Sequence, residues 1–303
     1  MRAKNKTYVV WQAKPDAALT PKYWTIKGPP LKRRGMNNGQ FHKMHGLGND
    51  FVVIDCRNMP VVMTPAKARA IADRKTGIGC DQLVLIEPST VADIRMRIYN
   101  FDGGEVESCG NASRCVVALL GHDCSIETAG GIIEGSLGEN GVTINMGAPR
   151  FDWQDIPLAF AMDAGALPMA WDELSSPMAV NVGNPHVIFF VEDTRAVDLE
   201  RLGPIIEHDA AFPEQVNVNV ALIKPDGIHL RVWERGVGLT RACGTGACAT
   251  AVAAIKQRKV ASPVKVHLPG GTLSIAWEPG GPVVMTGGTT YVFSGQANWD
   301  DFG

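Results

Sequence analysis

No stretch of this 303-residue chain approaches the ~20 apolar residues that a membrane-crossing helix needs. Nor do residues 1–35 hold an apolar core of about 7–15 residues, so no secretory signal is expected there. No charge of one sign is in surplus: 29 Lys and Arg against 31 Asp and Glu give a formal net charge of −2. That excludes a general attraction to nucleic acid or to an anionic membrane. Cys-x-x-Cys is absent, which argues against a thioredoxin-like pair or a zinc knuckle. Seven cysteines, an odd number at irregular spacings, suggest no disulfide framework. A reducing cytoplasm is therefore the expected compartment. What is plentiful is Gly (33) and Pro (19), which signal many turns and short strands. The length suits one large domain or two of about 130–150 residues.

Against this background two stretches stand out because they match. Glu107-Ser-Cys-Gly-Asn-Ala-Ser-Arg-Cys115 and Arg241-Ala-Cys-Gly-Thr-Gly-Ala-Cys248 share a Cys-Gly pair, small or polar residues, then an apolar run. Each reads as a cysteine at the mouth of a helix, with Gly110 or Gly244 letting backbone approach a ligand. A helix start carries unpaired N–H groups and partial positive charge. It can lower a thiol's pKa and hold a carboxylate. Other landmarks recur at nearly the same offset: Asn49 with Asn184, Gln82 with Asn217, Asn100 with Glu234, Cys109 with Cys243. Four polar landmarks in one order argue for a duplicated unit, and two copies suit two lobes facing a cleft.

Residues 1–35 carry nine Lys or Arg against the single acid Asp16 and no periodicity. They read as a disordered basic extension, or as sequence ahead of a working start at Met36. From Phe41 to Asp55 the pattern is strand, Gly-rich turn, strand. A short helix is expected over Thr64–Arg74, capped by Thr64 with Pro65 in first position. Leu83–Ile86 and Arg95–Asn100 read as strands, then the first Cys helix, then strands near 124–137 and 141–147. A second lobe starts near Phe151 and repeats the order: strand, turn, strand over Met178–Val191, helix over Leu199–His208, strands over Val216–Ile223 and His229–Arg235, the second Cys helix. The tail Val264–Phe293 predicts three more strands. Both Cys helices are apolar nearly all round and so must be buried, each inside its own sheet.

Cys56, Cys80, Cys115, Cys124 and Cys248 read as small core residues. Cys109 and Cys243, at equivalent helix starts, read as reactive. Cys109, Cys115, His122 and Cys124 are close in sequence but lack metal-ligand spacing. A Cys-His hydrolase using His45 or His186 would leave the second Cys-Gly motif unexplained. Two equivalent acids across a cleft fit removal of a proton from one face of a carbon and delivery to the other, which is racemisation or epimerisation. One cysteine must then be thiolate and the other thiol.

At these residues the chain resembles the diaminopimelate epimerase family. The matching motifs are Lys-Met-His-Gly-Leu-Gly-Asn-Asp-Phe (43–51), Gly-Ile-Gly-Cys-Asp-Gln (77–82), Asn-Phe-Asp-Gly (100–103), Cys-Gly-Asn (109–111), Gly-Asn-Pro-His (183–186), Val-Asn (216–217), Glu-Arg-Gly (234–236) and Ala-Cys-Gly-Thr-Gly-Ala-Cys (242–248). The resemblance covers about 41–293. It implies an α+β fold of two pseudo-symmetric lobes, each a mixed β-barrel or sheet round a central apolar helix. The N-terminal lobe would be 36–150 with a returning strand at about 288–303, and the C-terminal lobe 151–287. It further implies a homodimer, needing neither cofactor nor metal, that converts LL- to meso-diaminopimelate for lysine and peptidoglycan precursors. Cys109 and Cys243 would be the acid/base pair. Gly110, Asn111, Gly244 and Thr245 would meet the reacting carboxylate; Asn49, Gln82 and Glu234 would surround the reacting amino group and cleft. Asn100, Asn184, Asn217 and Arg235 would hold the far amino-acid end, and a forked Arg suits a distal carboxylate. Two positions depart from the family pattern: Ala112 replaces a usual Gly, and Cys80 an aromatic. The rivals are a proline or hydroxyproline racemase, which has no use for the distal set, and a non-catalytic amino-acid-binding protein, which has no use for a second cysteine.

Overall fold

β1 (Asn38–Gly46) buries Phe41, Met44 and Gly46, with a bulge between Lys43 and Met44, and the turn at Leu47-Gly48, both at positive φ, folds the chain back into β2 (Asn49–Asp55). The structure, a computed structural model, describes residues 38–107 and 109–302; the basic segment 1–35 lies outside the described residues. After β2 comes α1 (Pro65–Ala72), where Thr64 Oγ1 accepts the Lys67 N–H at 3.2 Å and Pro65 starts the helix. β3 (Gln82–Glu87), β4 (Ile94–Asn100) and the short β5 (Glu105–Val106) lead to α2 (Gly110–Leu120). Gly121, left-handed at φ 78°, ends that helix. β6 (Cys124–Thr128), β7 (Gly131–Gly138) and β8 (Gly141–Asn145) complete the first set.

A two-stranded ribbon, β9 (Ala170–Trp171) with β10 (Leu174–Ser175), precedes the second set. This runs β11 (Met178–Asn181), β12 (Pro185–Phe190), α3 (Leu199–Glu207), β13 (Asn217–Lys224), β14 (Gly227–Glu234), β15 (Gly238–Thr240), α4 (Gly244–Lys256), β16 (Val264–Leu268), β17 (Gly271–Ala276) and β18 (Val284–Gly287). β19 (Thr290–Asn298) and a 3₁₀ turn (Trp299–Phe302) follow. The tail thus yields four strands rather than three, because a break at Gly288 separates β18 from β19.

The pairing scheme is the same twice. β2 lies parallel to β3 with Phe51 opposite Gln82, and β12 lies parallel to β13 with His186 opposite Asn217. β4 is parallel to β6 as β14 is to β16. The sets join where β8 pairs antiparallel with β18, and β19 runs antiparallel along β1. α2 and α4 lie in one shared hydrophobic core. In α4 the small residues Ala249, Ala251, Ala253 and Ala254 are fully buried, which lets strands close round the helix. In α2 the expectation of an apolar helix needs correction: Arg114 is 0 % exposed in the same core.

Candidate active site

Both motif cysteines are helix N-caps with extended backbone: Cys109 for α2 and Cys243 for α4. Cys109 is half-buried; Cys243 is 3 % exposed. The Cys243 sulfur accepts the Gly246 N–H at 3.3 Å and lies 3.5 Å from the Thr245 hydroxyl. Gly110 and Gly244 sit on one shared floor, Met285 of β18. A Cβ on Gly110 would lie 2.6 Å from Met285 Cε, and one on Gly244 would lie 3.2 Å from its Sδ. The two helix starts are also tied together: Asn111 Nδ2 donates to Asn49 Oδ1 and to the Ala242 carbonyl, both at 3.3 Å. Asn49 Oδ1 in turn lies 3.8 Å from the Cys109 sulfur. Motifs 134 positions apart in sequence therefore meet in space.

Glu234 ends β14 and accepts a hydrogen bond from the Thr240 hydroxyl. Burial pushes its carboxyl up; the Thr240 and Cys243 bonds pull it back. Burial likewise pushes both thiols up, most strongly Cys243, and the Glu234 charge raises each further. The backbone N–H groups of Ala112 and Asn111 lower Cys109, and the Thr245 hydroxyl and the Gly246 backbone N–H lower Cys243. So the helix-end effect expected from sequence is present, but desolvation outweighs it and the net shift of both thiols is upward. The remaining cysteines owe their upward shifts first to burial: Cys56 and Cys124 to about 11, Cys80, Cys115 and Cys248 to about 12. As inert core thiols they match the reading made from sequence.

The other named residues fall into three groups. Asn49 also donates to Asp81 at 3.3 Å, and Asp81 belongs to an ion cluster with Arg74, Asp50 and Lys43. Burial would raise Asp50, but the Arg74 and Lys43 bonds win and hold it well below the usual carboxylate range. Gln82 donates to Asn100 at 2.9 Å across β3 and β4, and its buried Oε1 has no partner. Near the far end, Asn217 Oδ1 accepts the Arg235 backbone N–H at 3.0 Å while its Nδ2 donates to the Pro185 carbonyl. Asn217 thus scaffolds Arg235 more than it offers itself. Arg235 is exposed, donates to the Glu214 carbonyl, and pairs with no carboxylate among the described residues.

Several contributors escaped the sequence reading. His186, considered there only as a hydrolase base, is fully buried, with Nδ1 facing the Asn219 amide at 3.0 Å and Nε2 facing Asn184 Oδ1 at 2.9 Å. An amide donates to Nδ1, so Nε2 carries the hydrogen and Asn184 must turn its own NH₂ outward. Burial lowers the His186 pKa to about 3. Asn-x-Asn at 217–219, which puts both amides on one face of β13, was the available signal. Arg114 and Met285 gave none. Among the described residues the one grouping of three or more His, Cys, Asp or Glu with ligating atoms within 4.8 Å of one another is Asp226, His229 and His267, none of them a predicted site residue.

The sequence model of the family described as diaminopimelate epimerase matches residues 41–151 and 178–292. Diaminopimelate epimerase of Rhizorhabdus wittichii is 64 % identical over 266 residues, 87 % of this chain and 97 % of that protein. The Sphingopyxis alaskensis enzyme of the same name is 61 % identical over 87 % of this chain and 99 % of its own length. In structure the chain is similar to a hydroxyproline epimerase from Agrobacterium vitis with bound trans-4-hydroxy-L-proline (TM-score 0.61, 17 % identity, 88 % of this chain and 94 % of that one). A PhzF-family phenazine biosynthesis protein from Bacillus anthracis is similar too (TM-score 0.63, 17 % identity, 86 % and 99 %). At such identity these two likenesses are of fold.

Proposed function

The chain belongs to the diaminopimelate epimerase family, and from that premise we propose how its residues carry out the family reaction. It is an amino-acid epimerase that interconverts LL- and meso-diaminopimelate, on the route to lysine. Cys109 and Cys243 are the acid/base pair. The observation that carries this is the tie between them: two N-cap thiols at equivalent helix starts, linked through Asn111 to the backbone ahead of Cys243.

The substrate's α-carboxylate lies against the N–H groups of Gly110, Asn111, Gly244 and Thr245, where fixed dipoles oppose the charge that builds as the α-proton leaves. One cysteine, as thiolate, takes that proton from one face; its partner, as thiol, gives its own to the other. The carbon is inverted and the thiols exchange roles. Because Glu234 penalises a thiolate at either position, a substrate ammonium group beside Glu234 removes the penalty as it binds. Thiolate formation is thereby coupled to occupancy. Asn49 and Gln82 lie with Glu234 round the reacting amino group and cleft; Arg235, the amide of Asn184 and Asn100, which Gln82 holds by its oxygen, take the distal zwitterion. Neither cofactor nor metal takes part. The enzyme works as a cytoplasmic homodimer and also supplies the peptidoglycan precursor.

Incubation with LL-diaminopimelate in heavy water, without additions, tests the two-base step. Deuterium should enter the product's α-carbon while substrate recovered early stays protiated, since separate thiols serve the two faces. Equal early labelling of substrate and product would point to a single base and sink the proposal.

A further inference from the structure

Arg114 is a buried cation without an acid. Its side chain is 0 % exposed, and no carboxylate among the described residues pairs with it. The ionisable groups that act on it are the thiols of Cys115, Cys109 and Cys248. It runs back toward the start of its own helix, as helical side chains do. There Nη2 donates to Asn111 Oδ1 at 2.8 Å, and Nη1 donates to the Gly110 carbonyl and faces Met285 Sδ, each at 3.4 Å. Nε has no partner. Glycines leave room for it: a Cβ on Gly46 would lie 3.2 Å from Nη2, and one on Gly287 3.3 Å from Nε. A positive charge at a helix N-terminus opposes the helix dipole, and a buried unpaired one is dearer still. Packing alone would be served better by an apolar side chain of this length.

What Arg114 does hold is the Asn111 amide. By occupying Oδ1 it turns Nδ2 toward Asn49 Oδ1, which lies beside the Cys109 sulfur, and toward the Ala242 carbonyl, the contact that links the Cys109 side to the Cys243 side. We propose that Arg114 is a positioning residue for the epimerisation: it fixes the Asn111 bridge between the two helix starts and supplies the standing positive charge that a thiolate at Cys109 or a carboxylate at the helix ends requires. The charged groups acting on Cys109 are then Arg114 from α2, which favours thiolate, and Glu234 from β14, which opposes it. This inference rests on the two-thiol reading above.

The test compares full-length wild type, Arg114→Met and Arg114→Lys. Steady-state kinetics on LL-diaminopimelate are paired with pH-dependent alkylation of Cys109, read by peptide mass spectrometry in a Cys243→Ala background. For Arg114→Met, kcat should fall about 100-fold with KM changed less than about 5-fold. The Cys109 alkylation midpoint should rise by about one pH unit while the thermal midpoint stays within about 5 °C of wild type or rises. Arg114→Lys keeps the charge but cannot hold Asn111 and Gly110 together, so the alkylation midpoint should stay near wild type while kcat falls about 10-fold. An unmoved alkylation midpoint in a folded Arg114→Met protein, or activity within about 3-fold of wild type, overturns the proposal. Should Arg114→Met fail to fold, full activity in Arg114→Lys overturns it and the split between kcat and alkylation supports it. Alkylation does not depend on turnover, so failure of the two-thiol reading, seen as activity in Cys109→Ala, stays distinct from failure here.

Discussion

Gly246 and Ala112 occupy the same place, three residues after Cys243 and Cys109, yet their tolerance should be opposite. A Cβ on Gly246 would lie 2.7 Å from Asn219 Oδ1, 3.0 Å from Val232 Cγ2 and 3.2 Å from the Cys243 sulfur. None of these neighbours yields easily. Asn219 is fully buried and bonded to His186 and the Val187 carbonyl, and Val232 is 1 % exposed. Overpacking of this kind costs about 3 kcal/mol, offset by about 1 kcal/mol of better helix propensity. The Gly246→Ala thermal midpoint should therefore drop by roughly 4–8 °C. The methyl also pushes the sulfur off the Gly246 N–H, and a misplacement approaching 1 Å costs about 100-fold in kcat. At the equivalent point of the first lobe, β3 carries Val84 where β13 carries Asn219, and Ala112 is accommodated with 0 % exposure. Replacing Ala112 by the family's usual Gly should cost about 1–2 kcal/mol in stability and leave kcat within about 3-fold of wild type. Calorimetry and steady-state kinetics on the two variants suffice. A Gly246→Ala enzyme as stable and active as wild type would refute the reasoning, as would a large gain in kcat from Ala112→Gly.

Cys109→Ala and Cys243→Ala should each lower kcat/KM on LL-diaminopimelate more than about 100-fold, a loss above ~2.7 kcal/mol, with the fold kept by circular dichroism; a milder loss shows that cysteine to be dispensable. His186 binds its proton at about pH 3 when folded and near its ordinary value when unfolded. The unfolded chain thus holds the extra proton between those values, and wild-type stability should fall by about 1.4 kcal/mol per pH unit as pH drops from about 6.5 toward 3. That component should vanish from chemical denaturation of His186→Gln, so equal slopes in the two proteins count against a buried neutral imidazole. Arg235→Lys keeps charge but loses the fork, and should lose at least about 10-fold in kcat/KM on diaminopimelate without gaining turnover of L-proline. Turnover of L-proline by the wild type at a comparable rate would promote the racemase reading.

How much of this could be read from sequence follows from the range of each force. An N-cap thiol is felt by N–H groups one to three residues away, so Cys109 with Asn111 and Ala112, and Cys243 with Gly246, were legible as helix mouths. The duplicated landmarks were legible because strand register carried them: Phe51 opposite Gln82 and His186 opposite Asn217 keep the same step in both lobes. Arg114 was not, because a charge in an apolar helix reads as exposed unless one knows that Gly46 and Gly287, from distant strands, leave it a slot. The split role of Asn217 was hidden likewise, since its acceptor and donor choices depend on Arg235 and Pro185 arriving from other elements. The thiols show the limit most plainly. The local lowering by helix N–H groups was readable, yet it loses to burial and to Glu234, a residue 125 positions from Cys109. Desolvation belongs to the closed sheet and not to any motif, so only the assembled fold shows that both thiols are pushed up. On the two-thiol mechanism proposed above, the substrate's own charges, rather than the helix ends alone, would decide which thiol ionises.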